Sequence, residues 1–194
     1  LTTPRPWSFL TRNDLYSQDK LSDSLNALQS FYMNRGYLRF KIDSAQATLS
    51  PDRKFVYLVV HVTEGPIYIL KGYQLIGNLI VPQCKLDAVI KLKPGTVFSR
   101  QAIHDASTAI TNLLGNMGYL FATVNVSPQI DDETRQVFLT FYVDPGNQIY
   151  VRRINFIGNT KTSDIALRQV LRQMEGGVAS LGNIQESLRQ LNLT

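Results

Sequence analysis

Two stretches, Arg35-Gly36-Tyr37-Leu38-Arg39-Phe40 and Met117-Gly118-Tyr119-Leu120-Phe121-Ala122, carry the same Gly-Tyr-Leu triplet eighty-two residues apart. The offset holds from Ser17/Ser99 through Arg53/Arg135, so the chain is a repeat. A second landmark, Ile76-Gly77-Asn78, returns as Ile157-Gly158-Asn159, and Leu86, Val89 and Ile90 after the first copy match Leu167, Val170 and Leu171 after the second. Helical and leucine-rich solenoids have shorter periods, so each unit is a small domain.

Upstream of Gly118, Ile103, Ala106, Ile110, Leu113 and Met117 step by three and four, which lines one face of a helix opening after Ser99. Gly118 falls where a helix ends in the left-handed conformation, as does Gly36. Downstream, Leu120, Ala122, Val124 and Val126 alternate with Phe121, Thr123, Asn125 and Ser127 until Pro128, which ends the pattern. After the turn at Asp131-Asp132-Glu133-Thr134, Val137 to Val143 is apolar almost throughout. The continuous run belongs in the middle of a sheet and the alternating one at an edge, with Thr123 or Asn125 presenting its main chain outward. The front copy repeats the contrast: Leu38, Arg39, Phe40, Lys41, Ile42 and Asp43 alternate, and Phe55 to Val62 is continuous.

A complete copy begins near Ile67. Tyr68 to Ile76 reads as one bent strand, Pro82 opens a short helix bearing Leu86, Val89 and Ile90, and Pro94-Gly95 stops it. The expected class is therefore α+β. Each unit is β-α-α-β-β, a three-stranded mixed sheet covered on one face by two helices. Residues 67–146 hold one whole unit. Residues 1–66 hold the later part of another: a Pro-rich loop with Trp7, a helix turning Leu21, Leu25, Leu28 and Phe31 inward, and two strands. Residues 147–194 hold the earlier part of a third, with a strand over Tyr150 to Ile157, a helix around Asp164 to Met174 and a second helix to Leu191. The two partial units are expected to exchange strands between neighbouring chains. Gly65-Pro66 and Gly146-Asn147 leave almost no linker and mark the interdomain hinges.

With 20 Lys and Arg against 15 Asp and Glu, the chain has a formal charge of +5. The basic residues are dispersed, and Arg168 and Arg172 sit one turn apart on a solvated helix face, so the expectation is no nucleic-acid partner. A basic α+β nucleic-acid-binding tandem is the alternative. Cys84 is the single cysteine and reads as a partly buried helix thiol. His61 in a strand and His104 on a helix have no Ser/His/Asp, His-Glu-x-x-His or Gly-rich phosphate pattern around them. No enzyme, cofactor or metal is expected. The Gly115-x-x-Gly118 and Arg35-Gly36-Tyr37 sequences mimic RNA-binding motifs, but both are helix ends at one repeat position.

A tandem β-α-α-β-β unit with a Gly-Tyr helix-to-strand junction and an Ile-Gly-Asn strand end resembles the polypeptide-transport-associated (POTRA) domain. Arg35-Gly36-Tyr37, Val62-Thr63-Glu64-Gly65, Tyr119, Asp144-Pro145-Gly146-Asn147, Tyr150-Val151-Arg152-Arg153-Ile154, Gly158-Asn159-Thr160 and Leu171-Arg172-Gln173-Met174-Glu175-Gly176 are similar, in order and spacing, to the POTRA region of outer-membrane β-barrel assembly proteins. In that register the three parts are second-, third- and fourth-like domains. The resemblance implies a Gram-negative periplasmic scaffold that binds unfolded outer-membrane β-barrel proteins and accessory lipoproteins, in a parent protein held in the outer membrane by a C-terminal barrel absent here. It also implies that strand addition occurs at the edges Leu38 to Asp43 and Tyr119, Leu120, Phe121, Ala122, Thr123, Val124, Asn125 and Val126.

Overall fold

A computed structural model describes residues 13–51, 56–160 and 162–192, with side chains described outside 13–20, 47, 49 and 56. The Trp7 loop lies outside the described residues. In chain order the elements are α1 (Asn13–Met33), β1 (Lys41–Leu49), β2 (Val56–Thr63), β3 (Ile69–Gly77), α2 (Gln83–Val89), α3 (Arg100–Asn116), β4 (Thr123–Asp131), β5 (Gln136–Asp144), α4 (Asp164–Val170) and α5 (Leu181–Leu191). β1 and β2 form a two-stranded sheet, and the other three strands form a sheet of order β3-β5-β4. In the complete copy the continuous run is thus the central strand and the alternating run an edge strand. In the front copy the continuous run β2 pairs with β1 alone among the described residues and leaves Tyr57, Leu58 and Val59 exposed, because a two-stranded sheet has no middle.

The chain divides into two compact units, Leu1–Leu70 with Gly95–Arg100 and Asp131–Val137, and Lys71–Pro94 with Gln101–Ile130 and Phe138–Thr194. In the first unit, β1 and β2 pair antiparallel from Lys41↔Thr63 to Leu49↔Val56, with a bulge at Asp43 whose carboxylate accepts the Thr63 hydroxyl at 2.7 Å. Phe40 is buried and stacks on Tyr32 at 4.2 Å between ring centroids. Leu21, Leu25 and Leu28 are half-buried. Phe31 is exposed, with the Arg35 guanidinium 3.4 Å above its ring, so it does not point inward as its spacing suggests. His61 is exposed on β2.

The second unit takes its core from Leu86 of α2, Ala106, Ile110 and Leu114 of α3, and Leu139, Phe141 and Val143 of β5, all buried. The inward face of α3 steps by four through Leu114, leaving Met117 at the exposed helix end. Pro82 is the N-cap of α2, and Cys84 after it is exposed, not partly buried. Tyr150 to Ile157 is not a strand. Among the described residues it pairs only through an isolated bridge, Tyr150↔Val178, and an extended segment without a ladder has no regular structure to adopt. The last two helices are capped by serine: Ser163 Oγ accepts from Ala166 N, and Ser180 Oγ from Asn183 N.

Candidate functional site

The Gly-Tyr junctions explain why the edges begin where they do. Gly36 and Gly118 have φ of 92° and 99°, a region that L side chains rarely adopt. Tyr119 N donates to Leu114 O at 3.0 Å and Gly118 N to Gly115 O at 3.3 Å, the pair of bonds of a Schellman motif, and Tyr37 N donates likewise to Tyr32 O at 3.2 Å. A further turn follows in each copy, closed by Phe40 N to Tyr37 O and Ala122 N to Tyr119 O. That turn consumes the start of the expected edges. Leu38, Arg39 and Phe40 precede β1, and Tyr119, Leu120, Phe121 and Ala122 precede β4; Lys41, Ile42 and Asp43 lie in β1, and Thr123, Val124, Asn125 and Val126 in β4.

At its far end β4 continues through Pro128 to Asp131. A proline fits within this strand because β4 is a sheet edge, where a missing N–H faces solvent instead of a neighbour.

Which main-chain groups of β4 face outward follows from β5. Arg135 O accepts from Ile69 N and Val143 O accepts from Asn78 N, so β3 runs parallel to β5 and the odd-numbered carbonyls of β5 point toward β3. The even-numbered groups, Phe138, Thr140 and Tyr142, then point toward β4. In an antiparallel hairpin they bond with β4 residues whose side chains share their face. Val124 and Val126 are half-buried and fall on the side of the buried Phe141 and Val143, whereas Thr123, Asn125 and Ser127 are exposed and share the open face with Tyr142. Thr123, Asn125 and Ser127 therefore bond inward to β5, and Val124 and Val126 offer N–H and C=O to solvent. The expectation for Thr123 and Asn125 is reversed, because pleat and hydrogen-bond direction alternate together.

Gly65 and Gly146, at the expected hinge positions, have φ of 73° and 66°. The Asp144 carboxylate accepts from Gly146 N at 3.1 Å. Pro66 is half-buried and Asn147 exposed. Just beyond each of these positions the same four backbone bonds recur. Tyr68 N donates to Gly36 O, Phe98 N to Tyr68 O, Leu70 N to Thr96 O and Gly95 N to Leu70 O. In the later copy Ile149 N donates to Gly118 O, Ala179 N to Ile149 O, Val151 N to Gly177 O and Gly176 N to Val151 O. A Cβ at Gly36 would come within 2.6 Å of Val97 Cγ1, and one at Gly118 would overlap Val178 Cγ1. The repeated glycine is thus a close-approach site as well as a helix end.

Two clusters of charged groups are tied by ion pairs and hydrogen bonds. Arg39 pairs with Asp132 at 2.7 Å, and Asp132 also accepts the Tyr68 hydroxyl. These bonds, Tyr68 first and Arg39 second, hold the Asp132 carboxyl below the usual carboxylate range. Arg168 is not merely solvated: it binds Asp164 at 3.0 Å, Glu175 at 2.9 Å and the Ile154 carbonyl at 2.9 Å. Glu175 is held below the usual range by the Ile154 amide and then by Arg168. Among the described residues no group of three His, Cys, Asp or Glu is placed to hold a metal ion, and no helix is long and apolar enough to cross a membrane.

The family model described as "POTRA: Surface antigen variable number repeat" matches residues 7–65, 68–146 and 149–193. The chain belongs to the POTRA family. Similar proteins include the outer membrane protein assembly factor BamA of Neisseria meningitidis serogroup B, 29% identical over all 194 residues of this chain and 24% of that protein. BamA of Buchnera aphidicola is 32% identical over 170 residues, 88% of this chain and 27% of its own length. The chain spans about a quarter of the length of these curated relatives. Among solved POTRA structures, Haemophilus influenzae BamA POTRA3-5 superposes with a TM-score of 0.78 at 32% identity, covering 89% of this chain and 68% of that one. BamA of Haemophilus ducreyi lacking POTRA domains 1-3 gives 0.59 at 31% identity, covering 65% of this chain and 24% of that one.

Proposed function

We propose that this chain is part of a periplasmic scaffold in outer-membrane protein assembly, and that it holds unfolded β-barrel proteins by adding their strands to the free edge of β4. The observation that carries the reading is that edge: an alternating strand outside the central β5, with the main chain of Val124 and Val126 turned to solvent. Its support in kind is the name shared by the relatives, outer membrane protein assembly factor. Strand addition draws affinity from main-chain bonds, so one edge serves many clients. The β1 edge, bulged at Asp43, is a second such surface. Gly65-Pro66 and Gly146-Asn147 act as hinges between domains spanning 1–66, 67–146 and 147–194.

The parts fit the third, fourth and fifth domains of BamA, one step beyond the second-to-fourth register expected from motifs alone. What supports this is coverage: a match including 89% of this chain has to include the front part, and the structure matched begins at the third domain. The edge-strand reading rests on geometry and stays with β4 whatever the domain number. The test is amide exchange by NMR with a peptide copied from a barrel strand. Binding slows exchange at Val124 and Val126 and leaves the already bonded Thr123 and Asn125 unchanged. Protection confined to other elements would overturn the reading.

A further inference from the structure

We infer that Pro128 fixes the length of the segment that the β4 edge accepts, making this a site for short extended stretches of alternating apolar and polar residues. The inference rests on the strand-addition reading. The alternation that turns Val124 and Val126 outward also turns Pro128 and Ile130 outward. Position 128 has no N–H to give, and its ring occupies the space that an incoming backbone needs. An added strand therefore finds continuous partners only alongside Thr123 to Ser127, a footprint of about five residues at the strand rise of roughly 3.3 Å each.

Side chains of the added strand opposite Val124 and Val126 fall on the half-buried, helix-covered side, and those beside Thr123, Asn125 and Ser127 fall on the exposed polar side. The preferred occupant thus alternates apolar with polar, the pattern of a membrane β-barrel strand. The proline is not demanded by the fold. The front copy builds the matching strand, Lys41–Leu49, with Gln46 at the equivalent repeat position. An edge that stops early also resists pairing with a whole strand of another molecule.

The experiment uses the full chain and Pro128→Val, with Pro128→Gln as a second variant copying the front repeat. Synthetic alternating apolar/polar peptides of increasing length, about five to nine residues on the strand-rise estimate above, are titrated by fluorescence anisotropy and amide exchange. In the native chain, affinity changes less than about twofold across the series. In both variants the longest peptide binds about three- to tenfold tighter than the shortest, the effect of one or two recovered main-chain bonds, and protection spreads to Ile130. Equal gains with length in native and variant chains, or none in either variant, overturn the inference while leaving strand addition intact. Failure of every peptide to bind the native chain overturns both.

Discussion

Alanine at Gly118 tests whether the repeated glycine serves the joint as well as the helix end. Gly158 is the internal control: its φ is 89°, close to the 99° of Gly118, but a Cβ there meets nothing within 4 Å. Both substitutions incur the left-handed strain of about 1–2 kcal/mol. At Gly118 the new methyl also overlaps Val178 Cγ1 and sits 2.9 Å from Gln148 Cγ. Both neighbours flank the bonds from Ile149 N to Gly118 O and Ala179 N to Ile149 O, each 2.9 Å, so they yield only by opening the joint. Overpacking of this kind costs about 1–3 kcal/mol. Gly118→Ala should therefore lose about 2–5 kcal/mol in all and Gly158→Ala only about 1–2. Native-state hydrogen exchange reads the difference at one atom: the Ile149 amide should exchange at least about fivefold faster in Gly118→Ala than in Gly158→Ala. Equal exchange at Ile149 in the two variants, with equal melting temperatures, refutes the close-approach argument.

Val126→Pro removes an outward donor and no ladder bond, so the fold should melt within a few degrees of the native chain while peptide binding to β4 disappears. Asn125→Pro removes a bond to β5 and should destabilise by about 1–3 kcal/mol in urea denaturation; equal stability of the two variants contradicts the assignment of outward groups. The Asp132 carboxyl is held low first by Tyr68 and then by Arg39. Its stabilising contribution is complete above the ordinary carboxylate range and is lost as pH falls through the depressed folded value. In NMR titrations Tyr68→Phe should raise the Asp132 pKa more than Arg39→Ala does, and the reverse order would show that the ion pair dominates. Cys84 is exposed, so a thiol reagent should modify it fully in the folded chain; protection until denaturation contradicts its placement.

Sheet order in the complete copy was legible because β5 is apolar on both faces and β4 on one, while the same contrast in the front copy gave no middle strand because β2 has only β1 beside it among the described residues. The glycine helix ends were legible because Gly36 and Gly118 recur at one repeat position. What escaped the residue pattern was short in range. The turn from Tyr119 to Ala122 has the alternation of a strand and no glycine or proline to mark it, so β4 seemed to start four residues early. Pro128 seemed to end a strand that it only edges, since sequence does not reveal which side an N–H faces. Tyr150 to Ile157 has strand composition without a ladder to complete it. The stack of Arg35 on Phe31 and the triple engagement of Arg168 depend on side-chain reach, which helical spacing leaves undetermined.

One main-chain bond crosses from each repeat to the next at the same position, Tyr68 N to Gly36 O and Ile149 N to Gly118 O. The donor differs, Tyr68 in one and Ile149 in the other, while the accepting glycine is shared. A coupling of that kind is indifferent to what it joins. A module that brings its glycine brings the acceptor of that bond. The number of modules in such a string can then change over evolutionary time with this one bond kept at every junction.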